Sequence, residues 1–158
     1  MVGEGLNRIG EDIIIEDMKS GDLPAITEIE KASFTTPWSE TSFFNELKNP
    51  RSFLKVAKKG GTIVGYICAG CIIDEGHILD VAVHPEHRRL GIASTLVSLV
   101  IERLKEEGCR FVFLEVRDSN GPAKKMYGKF GFEFLGTRKN YYVSPVEDAV
   151  IMVLKFGG

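Results

Sequence analysis

A strand, a short basic loop and a helix follow one another over residues 76–104, and this arrangement constrains the fold more than any other part of the chain. Residues 76–83 alternate and are rich in β-branched side chains, whereas residues 94–104 carry apolar side chains at helical spacing. The loop at 88–93 joins them. The pattern predicts a strand that ends near His84 and Pro85 and a helix that begins near Gly91.

The start of this helix has the properties of an anion-binding site. The first backbone N–H groups of a helix have no intrahelical partners and lie at the positive end of its dipole. Gly91 and Ala93 carry little or no side chain, so a phosphate can approach the backbone closely. A single glycine does not match the dinucleotide-binding pattern, and no Walker sequence follows. The loop favours a pyrophosphate site, with a solvated basic turn as the alternative.

Composition excludes several classes of protein. At 158 residues the chain can bury one core, and its net charge of −2 argues against a nucleic-acid-binding protein. No apolar run approaches the roughly 18 residues of a membrane span. The acidic N-terminal segment does not resemble a secretory signal. We expect a cytoplasmic protein with one domain over residues 12–158, preceded by a polar, poorly ordered tail over residues 1–11.

Two of the three cysteines are interpreted as structural. An odd, low count fits a reducing compartment better than a disulfide framework. Cys68 and Cys71 have the spacing of half a zinc site or of a redox pair, but no second ligand pair has a suitable spacing. They lie in a strand-like run, where an odd separation directs the two thiols to opposite faces. We therefore expect no metal, and a structural role for Cys68 and Cys71.

Seven strands and four helices are predicted along the chain. The strands are expected at 13–15, 52–58, 62–73, 76–83, 110–116, 132–136 and 149–156. The helices are expected at about 23–33, 40–48, 91–107 and 121–130. The strands within 52–83 should form an antiparallel meander, whereas the strand at 110–116 follows a crossover helix and should lie parallel to its predecessor. The result is an α+β domain with one mixed, twisted sheet flanked by helices.

A second group of informative residues lies at the end of the strand at 110–116 and in the helix after it. Segment 114–120 reads Leu-Glu-Val-Arg-Asp-Ser-Asn, and Tyr127 follows in a helix that stops at a Phe-Gly pair. Together with the Arg-x-x-Gly-x-Ala loop, these segments resemble the GNAT superfamily of acetyl-CoA-dependent N-acetyltransferases over about residues 12–156. Ala93 stands where many members have glycine, a departure expected to tighten the loop without preventing binding.

Three further segments are similar to the RimI family, whose members acetylate the N-terminal alanine of a small-subunit ribosomal protein. They are Pro-Trp-Ser at 37–39, Leu-Glu-Val-Arg at 114–117, and Asn-Tyr-Tyr at 140–142 followed by Glu-Asp-Ala. Archaeal-type protein N-terminal acetyltransferases share the Glu-Val-Arg and Tyr-Tyr segments. The resemblance implies acetyl-CoA as donor and a protein N-terminus as acceptor. We expect a monomer or weak homodimer, with no nucleic-acid or membrane partner.

The resemblance implies that Glu115 and Tyr127 are the catalytic base and acid. Glu115 lies near the edge where parallel strands part and leave a cleft, so it could take a proton from an α-ammonium, directly or through a water. An apolar cleft would make it a stronger base, because desolvation disfavours the charged carboxylate. Tyr127 is implied to protonate the sulfur of coenzyme A. The alternatives are a solvent-facing residue for Glu115 and a core aromatic for Tyr127.

Further residues are implied to bind the donor. The backbone N–H of Val83 is expected to donate to the oxyanion, and Val81, Ala82 and Val83 to pair with the pantetheine arm as an added strand. Asn120 is expected to hydrogen-bond the pantetheine. The pyrophosphate is assigned to the loop and helix start, which comprise Arg88, Arg89, Leu90, Gly91, Ile92, Ala93 and Ser94.

Aromatic residues are expected to border the acceptor site. The resemblance places the loop of Trp38 on one side, and Tyr141 and Tyr142 on the other, where they could clamp a peptide N-terminus. The alternative for all three is packing in the core. His84 and His87 are titratable and close to the loop, but are interpreted as surface residues.

The predicted reaction is acetyl transfer to the α-amine of a protein N-terminus by direct attack in a ternary complex. No cysteine is placed to serve as a nucleophile, which favours direct attack over an acyl-enzyme. Lysine side chains or small amines such as polyamines are alternative acceptors. A non-catalytic acyl-CoA sensor is a different class, which could keep the phosphate loop but would not need Glu115 and Tyr127 together.

Overall fold

The computed structural model describes residues 7–9, 12–88 and 90–157. Within them lie the strands β1 (Asn7–Ile9), β2 (Ile13–Asp17), β3 (Ser52–Lys59), β4 (Thr62–Ile72), β5 (Glu75–Val83), β6 (Phe111–Arg117), β7 (Glu133–Val143) and β8 (Val146–Lys155). The helices are α1 (Leu23–Ser33), α2 (Glu40–Lys48), α3 (Ile92–Glu106) and α4 (Gly121–Lys129). One mixed sheet has the order β1-β2-β3-β4-β5-β6-β8-β7. The predicted α+β class, with a single mixed sheet flanked by helices, is confirmed.

The N-terminal segment differs in part from the prediction. Asn7–Ile9 pair antiparallel with β2, so Ile9 lies opposite Ile13. The outer edge of β2 would otherwise present unpaired backbone groups, and a short extended segment satisfies some of them. Residues 7–9 thus form a strand within the segment predicted as a tail, and the domain boundary at residue 12 stays a prediction. Positions 1–6, 10 and 11 lie outside the described residues.

The last hairpin is longer than the strands predicted at 132–136 and 149–156. β7 continues to Val143, and β8 begins at Val146. β7 forms an edge of the sheet, and nearly all its side chains are exposed, so its sequence lacks the alternation of a half-buried strand. The extension carries the Tyr-Tyr pair to the end of the hairpin, beside the end of β6.

Two apolar clusters cover the two faces of the sheet. On one face, the helical spacing of α3 buries Leu96, Val100 and Leu104 against the strands, together with residues of α4. On the other face, α1 and α2 bury Ile26 and Phe43. No helix in the described part of the chain is both long and apolar enough to cross a membrane. The sheet is thus held between two helix pairs, which fixes the loops at its ends.

β5 and β6 pair over only part of their lengths. The parallel pairing that the sequence predicts is confirmed, but it joins only residues 75–77 to residues 111–113. Beyond these pairs β5 runs to Val83 and β6 to Arg117, with no further ladder between them in the described residues. We call the opening between residues 78–83 and residues 114–117 the strand gap. Such openings at the C-terminal ends of parallel strands are the usual ligand sites of these sheets.

The thiols of Cys68 and Cys71 lie on opposite faces of the sheet, as predicted. Cys68 is buried in the α1/α2 cluster, and Cys71 packs against the α3/α4 cluster. The sequence did not indicate that the Sγ of Cys71 lies 2.7 Å from the Sγ of Cys109. The three residues are free cysteines. This contact lies beside the short β5–β6 pairing, because Cys71 pairs with Gly76 and Cys109 precedes the first residue of β6 by two positions.

Candidate active site

The edge of β5 facing the strand gap carries backbone groups directed into it. The N–H of His84 donates to the carbonyl of Val64 at 2.7 Å, and antiparallel pairs alternate, so Val81 and Val83 direct their backbone groups away from β4. Ala82, between them, pairs with Tyr66 on β4 instead. Val81 and Val83 therefore present backbone N–H groups to an added strand, and Val81 also presents its carbonyl, whereas the carbonyl of Val83 accepts a hydrogen bond from Arg88. The role predicted for Val81, Ala82 and Val83 in holding pantetheine stays a prediction.

Helix α3 begins where the sequence predicts, at the mouth of the strand gap. Gly91 is the N-cap residue, with a left-handed φ of 78°, and Ile92 is the first helical residue. The space around Gly91 is open, because a Cβ built there meets nothing within 4 Å. Ser94 and Leu90 are exposed, and Ala93 is half-buried. An open helix start with unpaired N–H groups fits a pyrophosphate.

The side chain of Arg88 connects this loop to β5 and to α1. Its Nε donates to the carbonyl of Val83 at 3.0 Å, and one terminal nitrogen donates to the Oγ of Ser33 at 3.3 Å. Because the guanidinium is bonded back to β5 and α1, the backbone is the part of Arg88 that is presented at the helix start. Arg89 lies outside the described residues.

Glu115 lies on β6 at the edge of the strand gap, on the face that α1 and α2 cover. Its neighbours Leu114 and Val116 face the opposite cluster. The side chain of Glu115 is 32% exposed, and its carboxylate lies 3.1 Å from the Nε of Arg138 on β7. The surroundings are therefore polar rather than apolar, and a cation already occupies the position beside the carboxylate.

Tyr127 reaches the sheet from α4 on the opposite face. It is buried, and its ring packs edge-to-face on Phe132 at 5.6 Å. Burial, with the nearby Asp80 adding to it, raises the pKa of Tyr127 above its usual range, so the hydroxyl keeps its proton at neutral pH. Its hydroxyl has no hydrogen-bond partner among the described residues, yet it is not one of the fully enclosed polar atoms. Tyr127 is thus a core aromatic whose hydroxyl remains available.

Asn120 caps helix α4. Its Oδ1 accepts a hydrogen bond from the N–H of Ala123 at 3.1 Å, as N-cap residues do. The amide nitrogen of the same side chain is left to donate. The predicted hydrogen bond from Asn120 to pantetheine stays a prediction, and it requires that nitrogen.

The aromatic residues divide between packing and exposure. Trp38 is half-buried and packs on Phe43, with ring centroids 5.1 Å apart. Tyr141 and Tyr142 contact each other edge-to-face at 5.1 Å, and Tyr141 is 46% exposed. Burial raises the pKa of Tyr142, and the charge of Glu115 adds to the effect. Packing thus explains the buried part of the Trp38 side chain, but it does not explain the position of the exposed Tyr141.

Two buried acidic groups that the sequence analysis did not single out lie behind this site. Glu30 on α1 is 1% exposed, accepts the hydroxyl of Tyr66 at 2.5 Å and accepts the backbone N–H of Trp38 at 2.9 Å. Asp80 on β5 is also buried, and its Oδ2 has no partner among the described residues. Burial and the adjacent Glu30 raise the pKa of Asp80 to about 9. Because Glu30 bonds both Tyr66 on β4 and the backbone of Trp38, it anchors the loop of Trp38 to the sheet.

Two arginines were also missed. Arg138 pairs with Glu115, and its guanidinium lies 5.4 Å from the ring of Tyr141. Arg117 contacts both the loop before α2 and the β7–β8 hairpin. The only signal in the sequence was the position of Arg117 within the Leu-Glu-Val-Arg segment. The partners of both arginines lie far away along the chain.

These features define a class of protein. An opened parallel strand pair, a helix start suited to a pyrophosphate, and a carboxylate beside an aromatic cleft are those of an enzyme that transfers a group from a coenzyme-linked donor. Residues 23–132 match the model of the Acetyltransferase (GNAT) family. The chain belongs to that family and is an N-acetyltransferase; acetyl-CoA is the family's acetyl donor.

Relatives cover nearly the whole chain. A Bacillus subtilis (strain 168) protein is 40% identical over 139 residues, 87% of this chain and 92% of its own. The [ribosomal protein bS18]-alanine N-acetyltransferase of Escherichia coli (strain K12) is 32% identical over 142 residues, 89% of this chain and 95% of its own. The crystal structure of the Escherichia coli ribosomal-protein-S18-alanine N-acetyltransferase superposes with a TM-score of 0.84 at 31% identity, covering 92% of this chain and 96% of that one.

Proposed function

We propose that the chain transfers the acetyl group of acetyl-CoA to the α-amine of an N-terminal alanine, with ribosomal protein bS18 as the acceptor. The observation that carries this proposal is the carboxylate of Glu115 at the strand gap, with a cation 3.1 Å away and the exposed Tyr141 beside that cation. A peptide N-terminus is a cation of the same charge. The similarity to the Escherichia coli [ribosomal protein bS18]-alanine N-acetyltransferase supports the choice of acceptor.

In this proposal the α-ammonium displaces the guanidinium of Arg138 and gives its proton to Glu115. The free amine then attacks the thioester carbonyl directly: the new N–C bond forms, and the C–S bond breaks as the tetrahedral arrangement collapses. The nitrogen loses its second proton in this collapse, and that proton replaces the one that Tyr127 gives to the sulfur. The N–H of Val83 donates to the carbonyl oxygen as charge develops on it. The hydroxyl of Tyr127, protonated at neutral pH, donates to the departing sulfur. No acetylated form of the protein occurs on this route.

A panel of acceptors tests the proposal. The protein is incubated with labelled acetyl-CoA and either a peptide with the N-terminal sequence of bS18, the same peptide with a blocked N-terminus, a lysine-containing peptide with a blocked N-terminus, or a polyamine. We expect label only on the alanine-starting peptide with its free amine. Preferred labelling of lysine or polyamine would reassign the acceptor, and binding of the donor without transfer to any acceptor would indicate a sensor.

Incubation with labelled acetyl-CoA alone tests the direct route. We expect no label on the intact protein and no mass increase equal to one acetyl group. A labelled protein that passes its label to the peptide would instead demonstrate an acyl-enzyme.

A further inference from the structure

We propose that Arg117 is a positioning residue that sets the separation between the two walls of the acceptor cleft, and thereby the affinity for the acceptor peptide. The first wall is the loop at residues 34–39 between α1 and α2, which carries Trp38. The second wall is the end of the β7–β8 hairpin, residues 140–147, which carries Tyr141 and Tyr142. The inference rests on the proposed function, because that function assigns this cleft to a peptide.

The guanidinium of Arg117 is fixed to the second wall by several contacts. One terminal nitrogen donates to the carbonyl of Pro145 and to the Oε1 of Glu147, both at 3.2 Å. The guanidinium carbon lies 4.2 Å from the ring centroid of Tyr142. The N–H of Ser119 also donates to Glu147, and this hydrogen bond, with that of Arg117, holds the pKa of Glu147 below its usual range. The hairpin end is thus tied to the end of β6 through a charged pair.

The other terminal nitrogen of Arg117 reaches the first wall. It donates to the Oγ1 of Thr35 at 2.9 Å, across 82 positions of the chain. Thr35 precedes Trp38 by three residues, in the loop that Glu30 anchors through the backbone N–H of Trp38. The bond from Arg117 to Thr35 therefore joins an anchored loop to the hairpin that carries the tyrosines. Arg117 contacts both walls with one rigid group.

The position of Arg117 on β6 relates this connection to the chemistry. It follows Glu115 by two residues, so both side chains leave the strand on the same face. A planar guanidinium with a fixed fork of donors holds its partners at set distances and angles, whereas a lysine ammonium is a point charge on a flexible stem. The side chain of Arg117 is 21% exposed, so its bonds are partly shielded from water. Loss of the fork should loosen both walls relative to Glu115.

The test compares Arg117→Lys with wild type in steady-state kinetics and in binding. We expect the KM for the alanine-starting peptide to rise about tenfold, equivalent to about 1.4 kcal/mol. The Kd for acetyl-CoA should stay within about twofold of wild type, because the Arg117 side chain contacts none of the residues predicted to bind the donor, and kcat at saturating peptide should be largely kept. Thr35→Val, which removes only the hydroxyl on the first wall, should raise the KM in the same direction by a smaller factor.

Arg103→Lys is the matched control. Arg103 also bonds a glutamate, at 3.0 Å from Glu107, and lies over a phenyl ring, 4.3 Å from that of Phe53, but it is on α3 away from the cleft. Its substitution should leave the KM for peptide unchanged.

Three results would overturn the inference. The first is an unchanged KM for peptide in a folded Arg117→Lys protein, and the second is a loss of donor affinity and thermal stability parallel to the KM effect, which would indicate a merely structural role. If Arg117→Lys does not fold, an unchanged KM in Thr35→Val is the third. Failure of the proposed function looks different, because the wild-type protein itself would then not acetylate the peptide.

Discussion

Substitution of Glu115 by glutamine should separate catalysis from stability. Glutamine keeps the size and shape of the side chain but cannot accept the proton of an ammonium group. The lost ion pair joins side chains that are 32% and 57% exposed, for Glu115 and Arg138, and pairs this exposed contribute about 0–1 kcal/mol. About one-tenth of an α-amine of pKa about 8 is free at pH 7 without a base, so a base that frees the rest contributes about tenfold to the rate, equivalent to about 1.4 kcal/mol of activation free energy. The loss of rate should therefore exceed the loss of stability.

The assay follows release of the coenzyme A thiol with a chromogenic thiol reagent, at fixed donor and varied peptide. At pH 7 about nine-tenths of the acceptor α-amine is protonated, because its pKa is about 8, and turnover should fall about tenfold in Glu115→Gln. At pH 9 the amine is already free, so the difference from wild type should shrink. Glu133→Gln, at an exposed strand position on the far part of β7, is the control and should be unchanged at both pH values.

Unchanged turnover of Glu115→Gln at pH 7 would refute the base assignment outright. A deficit that is equally large at pH 7 and pH 9 would also contradict it, because the need for a base disappears once the amine is free. Calorimetric titration with acetyl-CoA should give a wild-type Kd. A weakened donor complex would indicate that Glu115 acts on binding instead.

Four further predictions follow from the structure. Tyr127→Phe should lower kcat about 100-fold with little change in melting temperature, because its hydroxyl bonds no described group; an unchanged rate would remove the acid role. Gly91→Ala, at φ 78°, should cost about 1 kcal/mol in thermal unfolding and weaken acetyl-CoA binding in calorimetry; equal values for both proteins would contradict the strained loop. The pKa of Asp80 is raised to about 9 in the folded protein, against about 3.9 when unfolded, so the folded state holds an extra proton between these values. The stabilisation that this proton gives the folded state is complete below about pH 3.9 and is lost as pH rises toward 9. In urea unfolding, the free energy of unfolding should therefore decline less steeply with pH in Asp80→Asn than in wild type; identical slopes in the two proteins would argue against the raised pKa of Asp80. Oxidised glutathione should join Cys71 to Cys109, with loss of two hydrogen atoms from the protein mass as the glutathione disulfide is reduced to two thiols; no such loss in wild type would count against their contact.

The sequence was sufficient for the elements whose local pattern agrees with their final environment. The helix at 92–106 and the strands around it were predicted because one face of each is buried against the core. The extension of β7 to Val143 was not predictable in the same way, because an exposed edge strand has no face to bury and its pairing is set by β8. Asn7–Ile9 likewise form a strand only because β2 offers them an edge.

The candidate site shows the same division. Glu115 and Tyr127 were found because they lie in recognisable segments of the chain, and Gly91 because its loop joins a strand to a helix. Two contacts were not predicted, because each joins residues that only the folded sheet brings together: the pair of Glu115 with Arg138 and the contact of Arg117 with Thr35. The C-x-x-C spacing suggested a relation between Cys68 and Cys71, but the thiol in contact with Cys71 is that of Cys109.

The short pairing between β5 and β6 divides the sheet into a five-stranded and a three-stranded part that share three residue pairs. In the free protein the amide hydrogens of Val81 and Val83 face an opening and should exchange rapidly with deuterium. A donor that pairs with this edge would make the sheet continuous and slow that exchange. At a concentration of 100 times its Kd it would also add about 2.7 kcal/mol to the free energy of unfolding. The compound that the enzyme consumes would then be part of what holds its two halves together.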